Sequence, residues 1–599
     1  MSRIASATLG ARPSRPLPLN LEVRSLRPPN RAARMAALPG MLAALLLAYF
    51  WWQGERFLEA NGPTFDEGAH LAAGYGYWRT GDLRMNHEDP PLLKWWWALP
   101  LVVGERPPYP QAVAEATNRD HWHVGLAFLY DSGVPYQRLL KPARRMNLAL
   151  GCGIVLLAGW WASRLWQCRF AGLAAMAFAA FDPNLLALSC VLSTDAGFAF
   201  FALLSSYLLW EYAARPTRGL LFAAGISLGL MLGSKLSAIA MVAGFGFAGT
   251  AFVLRGGVLV LPGRVLPQEG AGPRLRAYFD LLFRLGVIAV IVLAATYGFL
   301  HFDEWGRGLK FQLTRADHGD GRMYLNGQLS KSGWFHYFLV ASAVKVPSGL
   351  LAAACASAII LVKERGSKCS ILVWLPPLIF FAAASYSRVD LGIRVVLPAL
   401  VFLPILAGGL VSSIGWHRLP AGAVEQRHFG WHRLPAGASC ALLLALLGWA
   451  GWASWQASPH QVAYFNEIAG DRGLDFVADS NADWGQGLPL LKAYIERERI
   501  ETVYLSYFGT DRPEAYGIRY QSLPGYGRVG PAGGESIPPD AARHVLAISA
   551  NNLLGIYLDD PATFAWLRSR KPDAILGGSL FVFDLTGDAE AIRRLRSGP

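Results

Sequence analysis

Residues 219–254, GLLFAAGISLGLMLGSKLSAIAMVAGFGFAGTAFVL, hold two apolar runs and one charge, Lys235, between them. A helix needs about twenty mainly apolar residues to cross a hydrocarbon layer of ~30 Å. The stretch therefore reads as two membrane-spanning helices divided at or near Lys235. Working outward, similar segments lie near 35–52, 146–163, 170–190, 194–212, 278–300, 336–362, 370–386, 393–413 and 440–456, about eleven in all. Composition agrees. Hydrophobic residues make up 53% of the 599 positions and charged residues 16%, against about 25% charged in soluble domains.

The formal charge of +13 does not signal nucleic acid, because the basic residues are scattered among short loops and form no single face. Such loops report orientation. Seven arginines against one glutamate precede residue 37, which predicts a cytoplasmic basic tail over 1–36. Arg164 and Arg169, Arg215 and Arg218, Arg255 to Arg276, Lys363 to Lys368 and Arg418 to Arg433 fall on the same side as that tail. The long loops 53–145 and 301–335 fall on the other. The six cysteines show no metal-site spacing, and none lies in the C-terminal region, so no disulfide framework is expected. Gly415 to Ala423 repeats as Gly430 to Ala438, far too short for a solenoid unit.

The expected fold is an all-α polytopic domain over 37–456, followed by a small extracytoplasmic α/β domain over 457–599. Within the latter, strands are expected at Phe476 to Asp479, Thr502 to Phe508 and His544 to Ser549. Helices are expected at Leu488 to Arg497, 551–558 and 561–569. A hairpin is expected with Gly577 and Gly578 at or near its turn, before Leu580 to Leu585.

The first external loop concentrates ionisable residues: Phe65-Asp66-Glu67-Gly68-Ala69-His70, Gly81-Asp82, then Asn86-His87-Glu88-Asp89-Pro90-Pro91-Leu92-Leu93-Lys94. A helix over 64–78 would put Asp66 and His70 one turn apart, with Asp66 either ionised in the first turn or acting as a plain cap. Lys94 adjoins Trp95, Trp96 and Trp97, an interfacial cluster, so the segment reads as two helices along the membrane surface. Glu67, His70, His87 and Asp89 are also suitable ligands for a divalent cation, though their spacing is not diagnostic. Further on, Asp195 sits at a span end, where a deep carboxylate needs a partner or else caps the helix after Thr194. The loop Asp479-Ser480-Asn481-Ala482-Asp483-Trp484-Gly485-Gln486 follows an expected strand. An exposed Trp484 there, beside Asp479, Asn481, Asp483 and Gln486, suits stacking on a sugar ring; a turn with a helix cap is the plainer reading.

The ordered set resembles the GT-C membrane glycosyltransferases. Its members are Asp-Glu in the first external loop, Gly-Asp, Pro-Pro-Leu-x-Lys, Asp182-Pro183, Thr194-Asp195, Gly233-Ser234-Lys235, Gly392-Ile393-Arg394 and Leu397-Pro398. The pattern is similar to that of the protein O-mannosyltransferases and, more distantly, of the lipid A aminoarabinose transferases. Residue 89 departs from it: aspartate precedes Pro-Pro, where those families usually have histidine and lysine respectively. The resemblance implies an inverting transfer from a polyprenyl-phosphate-linked sugar to a lipid, glycan or protein acceptor outside the cytoplasm. It implies Asp66 as general base and Glu67, with His70, orienting the acceptor or the loop. Asp89, Lys94, Asp195, Lys235 and Arg394 would serve the donor phosphate and sugar, Lys94, Lys235 and Arg394 being alternatively snorkelling cations. The C-terminal region resembles the external domain of bacterial transferases of this class, which implies the inner membrane with the active face toward the periplasm. A transporter or lipid flippase is the alternative; it would place its charges near the bilayer midplane in matching halves, and no such halves are apparent.

Overall fold

The computed structural model describes residues 31–257, 270–318, 321–363, 370–414, 436–527, 534–538 and 540–597. The expectations for the basic tail over residues 1–30, for most of the nine-residue repeat and for parts of the basic loops near 255–276, 363–368 and 418–433 lie outside these residues.

Every apolar segment expected to be a span is helical. In chain order the helices are α1 (Arg31–Ala60), α2 (Glu67–Thr80), α3 (Leu92–Pro100), α4 (Gln111–Ala116), α5 (His121–Tyr130), α6 (Tyr136–Leu165), α7 (Arg169–Ala180), α8 (Pro183–Cys190) and α9 (Thr194–Ala214). They continue with α10 (Arg218–Leu232), α11 (Ala238–Leu254), α12 (Ala271–Thr296), α13 (Phe302–His318), α14 (Tyr337–Lys345), α15 (Ser348–Lys363), α16 (Ser370–Tyr386), α17 (Leu397–Leu400), α18 (Leu403–Gly408) and α19 (Ala436–Ala457). Among the described residues, four helices are long and apolar enough to cross a membrane, or up to seven if each of three bent pairs counts once. α10, α11 and α16 are shorter and apolar. In α12 only 22% of the most apolar window is buried, and Phe279, Phe283, Val290 and Ile291 are more than half exposed. An apolar face of that size is stable in lipid and unstable in water. The chain is a multi-pass membrane protein.

The bends have local causes. α7 and α8 meet at 62° across Asp182-Pro183, where Asp182 Oδ1 accepts from Asn184 N at 2.9 Å and proline takes the first helical position. α14 and α15 meet at 114°, because Pro347 drives Val346 into extended backbone (ψ 135°). Helix continues into both ends of the expected loop 53–145, since α1 runs on to Ala60 and α6 starts at Tyr136. α3 packs close against α2. A Cβ on Gly74 would stand 2.1 Å from Lys94 O, so only glycine admits that approach.

The long segment 301–335 carries α13 and a hairpin, β1 (Met323–Leu325) and β2 (Gln328–Ser330), turned by Asn326-Gly327 with both φ positive. In the C-terminal region the strands are β3 (Val503–Ser506), β4 (Tyr520–Ser522), β5 (Val545–Ser549), β6 (Ala574–Leu576) and β7 (Leu580–Asp584). They form one sheet in the order β4-β3-β5-β7-β6, with β3 parallel to both neighbours and β5, β7 and β6 antiparallel. Gly577 and Gly578 turn the last hairpin. Three expectations fail. The helix expected at 551–558 is cut to the single turn Ala550–Leu553. Phe476 to Asp479 is no strand: a short helix ends at Phe476, Val477 makes one isolated bridge to Leu325, and a 3₁₀ turn starts at Asp479. The helix expected at 561–569 is reduced to turns and Ala565–Leu567.

Candidate active site

Asp66 is the N-cap residue of α2, but its side chain makes no cap hydrogen bond. Its carboxylate turns instead toward two residues far away in sequence: Trp484 Nε1 donates to Oδ2 at 3.2 Å, and Arg394 Nη1 lies 3.6 Å from the same oxygen. The neighbouring Glu67 does the opposite and faces inward. It is fully buried, accepts from Arg144 Nε at 2.8 Å and Nη2 at 2.5 Å, and also takes Thr64 N (2.8 Å) and Leu192 N (2.9 Å). Arg144, buried on α6, adds bonds to Asn61 O and Gly62 O. This knot fixes the turn before α2 and aims Asp66 the other way. Of the two roles expected for Glu67, these contacts favour orienting the loop.

Arg394 stands at the centre of the remaining charges. It follows Gly392, whose φ of +93° and close packing on Ser480 Oγ require glycine. Its Nε donates to Leu391 O at 3.2 Å, its guanidinium lies 4.4 Å from the Trp484 ring centroid, and its Nη1 is 3.9 Å from Asp195 Oδ2. Asp195, 1% exposed at the start of α9, also holds Lys235 through Oδ1. Asp89 accepts from Thr194 Oγ1 at 3.1 Å, and His70 Nε2 lies 3.9 Å away. The structure thus gathers Asp66, Asp195, Lys235, Arg394, Asp89 and His70 from four separated segments. Two buried atoms of the group, Asp195 Oδ2 and His70 Nδ1, have no hydrogen-bond partner among the described residues.

Lys94 is placed differently. It is wholly buried, and its ammonium donates to Asn86 O (2.6 Å), Asn86 Oδ1 (2.8 Å) and Asp89 O (2.7 Å). Three strong donors are thereby committed to the loop that carries Asp89. Of the four suggested cation ligands only His70 and Asp89 lie together; Glu67 faces Arg144 and His87 packs edge-on to Phe311. Among the described residues no three His, Cys, Asp or Glu side chains gather as metal ligands would.

Burial pushes the Asp66 carboxyl above the usual carboxylate range, against the pull of Arg394; Asp89 adds to the rise. Burial and then Asp89 push Glu88 up to about 7. Burial would raise Asp89 as well, yet its partners hold it below the ordinary value. His70 is pushed down to about 3 by burial. Lys94 falls to about 8 by burial and remains mostly charged.

The C-terminal loop enters this site. Trp484 is 3% exposed, so the expectation of an exposed stacking platform fails; its ring lies under Arg394. Asn481 is buried and bonds Ile393 N, Tyr337 Oη and Ala478 O. Asp483 takes Gly485 N and Asn551 N, and burial pushes it up to about 7. Gln486 accepts from Trp484 N at 2.8 Å, and Asp479 holds Tyr557 Oη. These four side chains brace the loop. Sequence reading passed over Arg144 and Lys345; the latter is buried at the α14–α15 bend, bonded to Val462 O and Asn481 O. Lys345, a lone basic residue inside an apolar run, carried a signal; Arg144 is hidden in a basic cluster with Lys141 and Arg145. Arg315 of α13, whose charge lowers both Asp66 and Glu88, carried no such mark.

Residues 116–304 match the family model described as dolichyl-phosphate-mannose-protein mannosyltransferase, in agreement with the resemblance drawn from the ordered motifs. No curated protein sequence matches the chain. Among solved structures, ArnT from Cupriavidus metallidurans in the apo state is 15% identical, with 92% of this chain and 98% of that one covered and a TM-score of 0.43. The archaeal oligosaccharyltransferase AglB from Archaeoglobus fulgidus is 13% identical, covering 69% and 56%, with a TM-score of 0.39. The S. cerevisiae protein O-mannosyltransferase Pmt1-Pmt2 complex is 17% identical, covering 46% and 36%, with a TM-score of 0.31.

Proposed function

We propose that this membrane glycosyltransferase, which takes its sugar from a polyprenyl-phosphate donor, uses Asp66 as general base in an inverting transfer. The observation that carries the reading is the aim of Asp66: a partly exposed carboxylate, released from its capping role and set beside Arg394. In the reaction Asp66 takes the proton of an acceptor hydroxyl while the oxygen of that hydroxyl bonds to the anomeric carbon. The bond from that carbon to the phosphate oxygen breaks on the opposite face, and the phosphate departs with the electron pair. A base contributes on the order of 10²–10⁴ in rate when its pKa lies near the working pH, and burial moves Asp66 in that direction.

Arg394 meets the charge on the leaving phosphate. Both carboxylates beside its Nη1 lie beyond hydrogen-bond distance, at 3.6 and 3.9 Å, so its paired N–H groups can grip two phosphate oxygens. Lys235, tied to Asp195, adds a second positive charge. Asp89 and His70 form the wall toward α2, and Lys94 holds the loop of Asp89. Eleven spans, counting α1, the three bent pairs and the three shorter helices, put the C-terminal sheet on the face opposite the N-terminal tail. We place that face in the periplasm, with the chain in the bacterial inner membrane; the arginine-rich flanks support this orientation.

Reconstituted full-length protein given a labelled polyprenyl-phosphate sugar should release polyprenyl phosphate as it glycosylates the acceptor. Movement of the labelled lipid between leaflets without sugar transfer would favour a flippase instead. Arg394→Lys keeps the charge and loses the paired grip; it is expected to raise the donor KM roughly tenfold, equivalent to ~1.4 kcal/mol. A donor titration yielding the wild-type KM would remove Arg394 from the phosphate site.

A further inference from the structure

The C-terminal loop does more than cover the membrane domain; it pairs with both segments that carry the reacting charges. Trp484 O accepts from Phe65 N at 2.9 Å and Gln486 O from Gly62 N at 3.0 Å, on the strand of chain leading into Asp66. On the other side Ser480 Oγ donates to Leu391 O at 2.6 Å and Asn481 Oδ1 accepts from Ile393 N at 3.0 Å, next to Arg394. Lys345 Nζ anchors the loop from α14 through Asn481 O. Between these two attachments lies the Trp484 indole, buried, with its N–H on Asp66 and its ring against Arg394.

We propose that Trp484 is a positioning residue for the transfer: its N–H holds one oxygen of Asp66 so that the other meets the acceptor hydroxyl, and its ring face seats Arg394. The inference rests on Asp66 being the base. A single donor fixes the rotation of a carboxylate, and an error of about 1 Å at a reacting atom costs about a hundredfold in rate. The indole also separates Asp66 and Arg394 from a full ion pair. At 3.6 Å the two attract without closing into a bidentate bridge, which leaves the carboxylate available to a proton and the guanidinium to a phosphate.

Trp484→Phe keeps an aromatic face and removes the N–H. It is expected to lower kcat roughly tenfold and leave the donor KM within about twofold, since the ring still backs Arg394. It should also move the acid limb of the kcat profile up by about one pH unit, because a hydrogen bond to the ionised form is gone. A purely structural role would not move that limb. Should Trp484→Phe fail to accumulate, benzothienylalanine at 484, which keeps the bicyclic shape without the N–H, runs the same test. Asp66→Asn is assayed alongside. An inactive Asp66→Asn with Trp484→Phe matching wild type in kcat and acid limb overturns the role of Trp484 alone. A fully active Asp66→Asn overturns the base assignment and this inference with it.

Discussion

Asp66→Asn should abolish most sugar transfer, by roughly 10²–10⁴-fold in kcat, while the protein stays folded. The asparagine carbonyl can still accept from Trp484 Nε1, and the knot that shapes the turn belongs to Glu67 and Arg144, not to residue 66. The thermal transition in detergent should therefore match wild type, and the donor KM should change little. A transfer rate within threefold of wild type would mean that another group takes the proton.

Arg144→Ala should be the most destabilising single change near the site. It removes the partner of a wholly buried carboxylate and leaves Glu67 with only two backbone donors. Breaking a buried pair from one side costs about 3–5 kcal/mol, because the remaining charge is uncompensated. Pairing the change with Glu67→Leu removes that charge, so the double variant should recover part of the loss even though two polar groups are gone. Thermal unfolding in micelles checks both. An Arg144→Ala protein as stable as wild type would show that the pair does not hold the turn. Transfer should fall in Arg144→Ala too, through the misplaced carboxylate next in the chain.

The apolar helices were legible because lipid tolerates only segments that satisfy their own backbone; α12 advertises a span by composition alone, while α10 and α11 around Lys235 are apolar but shorter. The bends were legible after the fact from Asp182-Pro183 and Val346-Pro347. No periodicity told that Asp66, six residues past the end of α1, would meet Arg394 and Trp484, since those contacts span more than three hundred positions. The order of motifs carried that information only through a family resemblance. Trp484 was misread for a physical reason: a tryptophan flanked by Asp and Gln looks solvated in sequence, whereas Gln486 and Asp483 turn inward to brace the loop and bury the ring. Glu67 and Asp66 could not be told apart either. Adjacent carboxylates at a helix start point to different sides, and only the position of Arg144 decides which one is locked.

The most direct test of the account is the pH dependence of single-turnover sugar transfer by the wild-type protein. The base must be ionised to act, and burial raises its pKa. The account predicts a rate that falls tenfold for each pH unit as acid is added below a midpoint above the ordinary carboxylate range, with that limb absent from the residual activity of Asp66→Asn. A rate independent of pH down to 4, or the same limb surviving in Asp66→Asn, would contradict it.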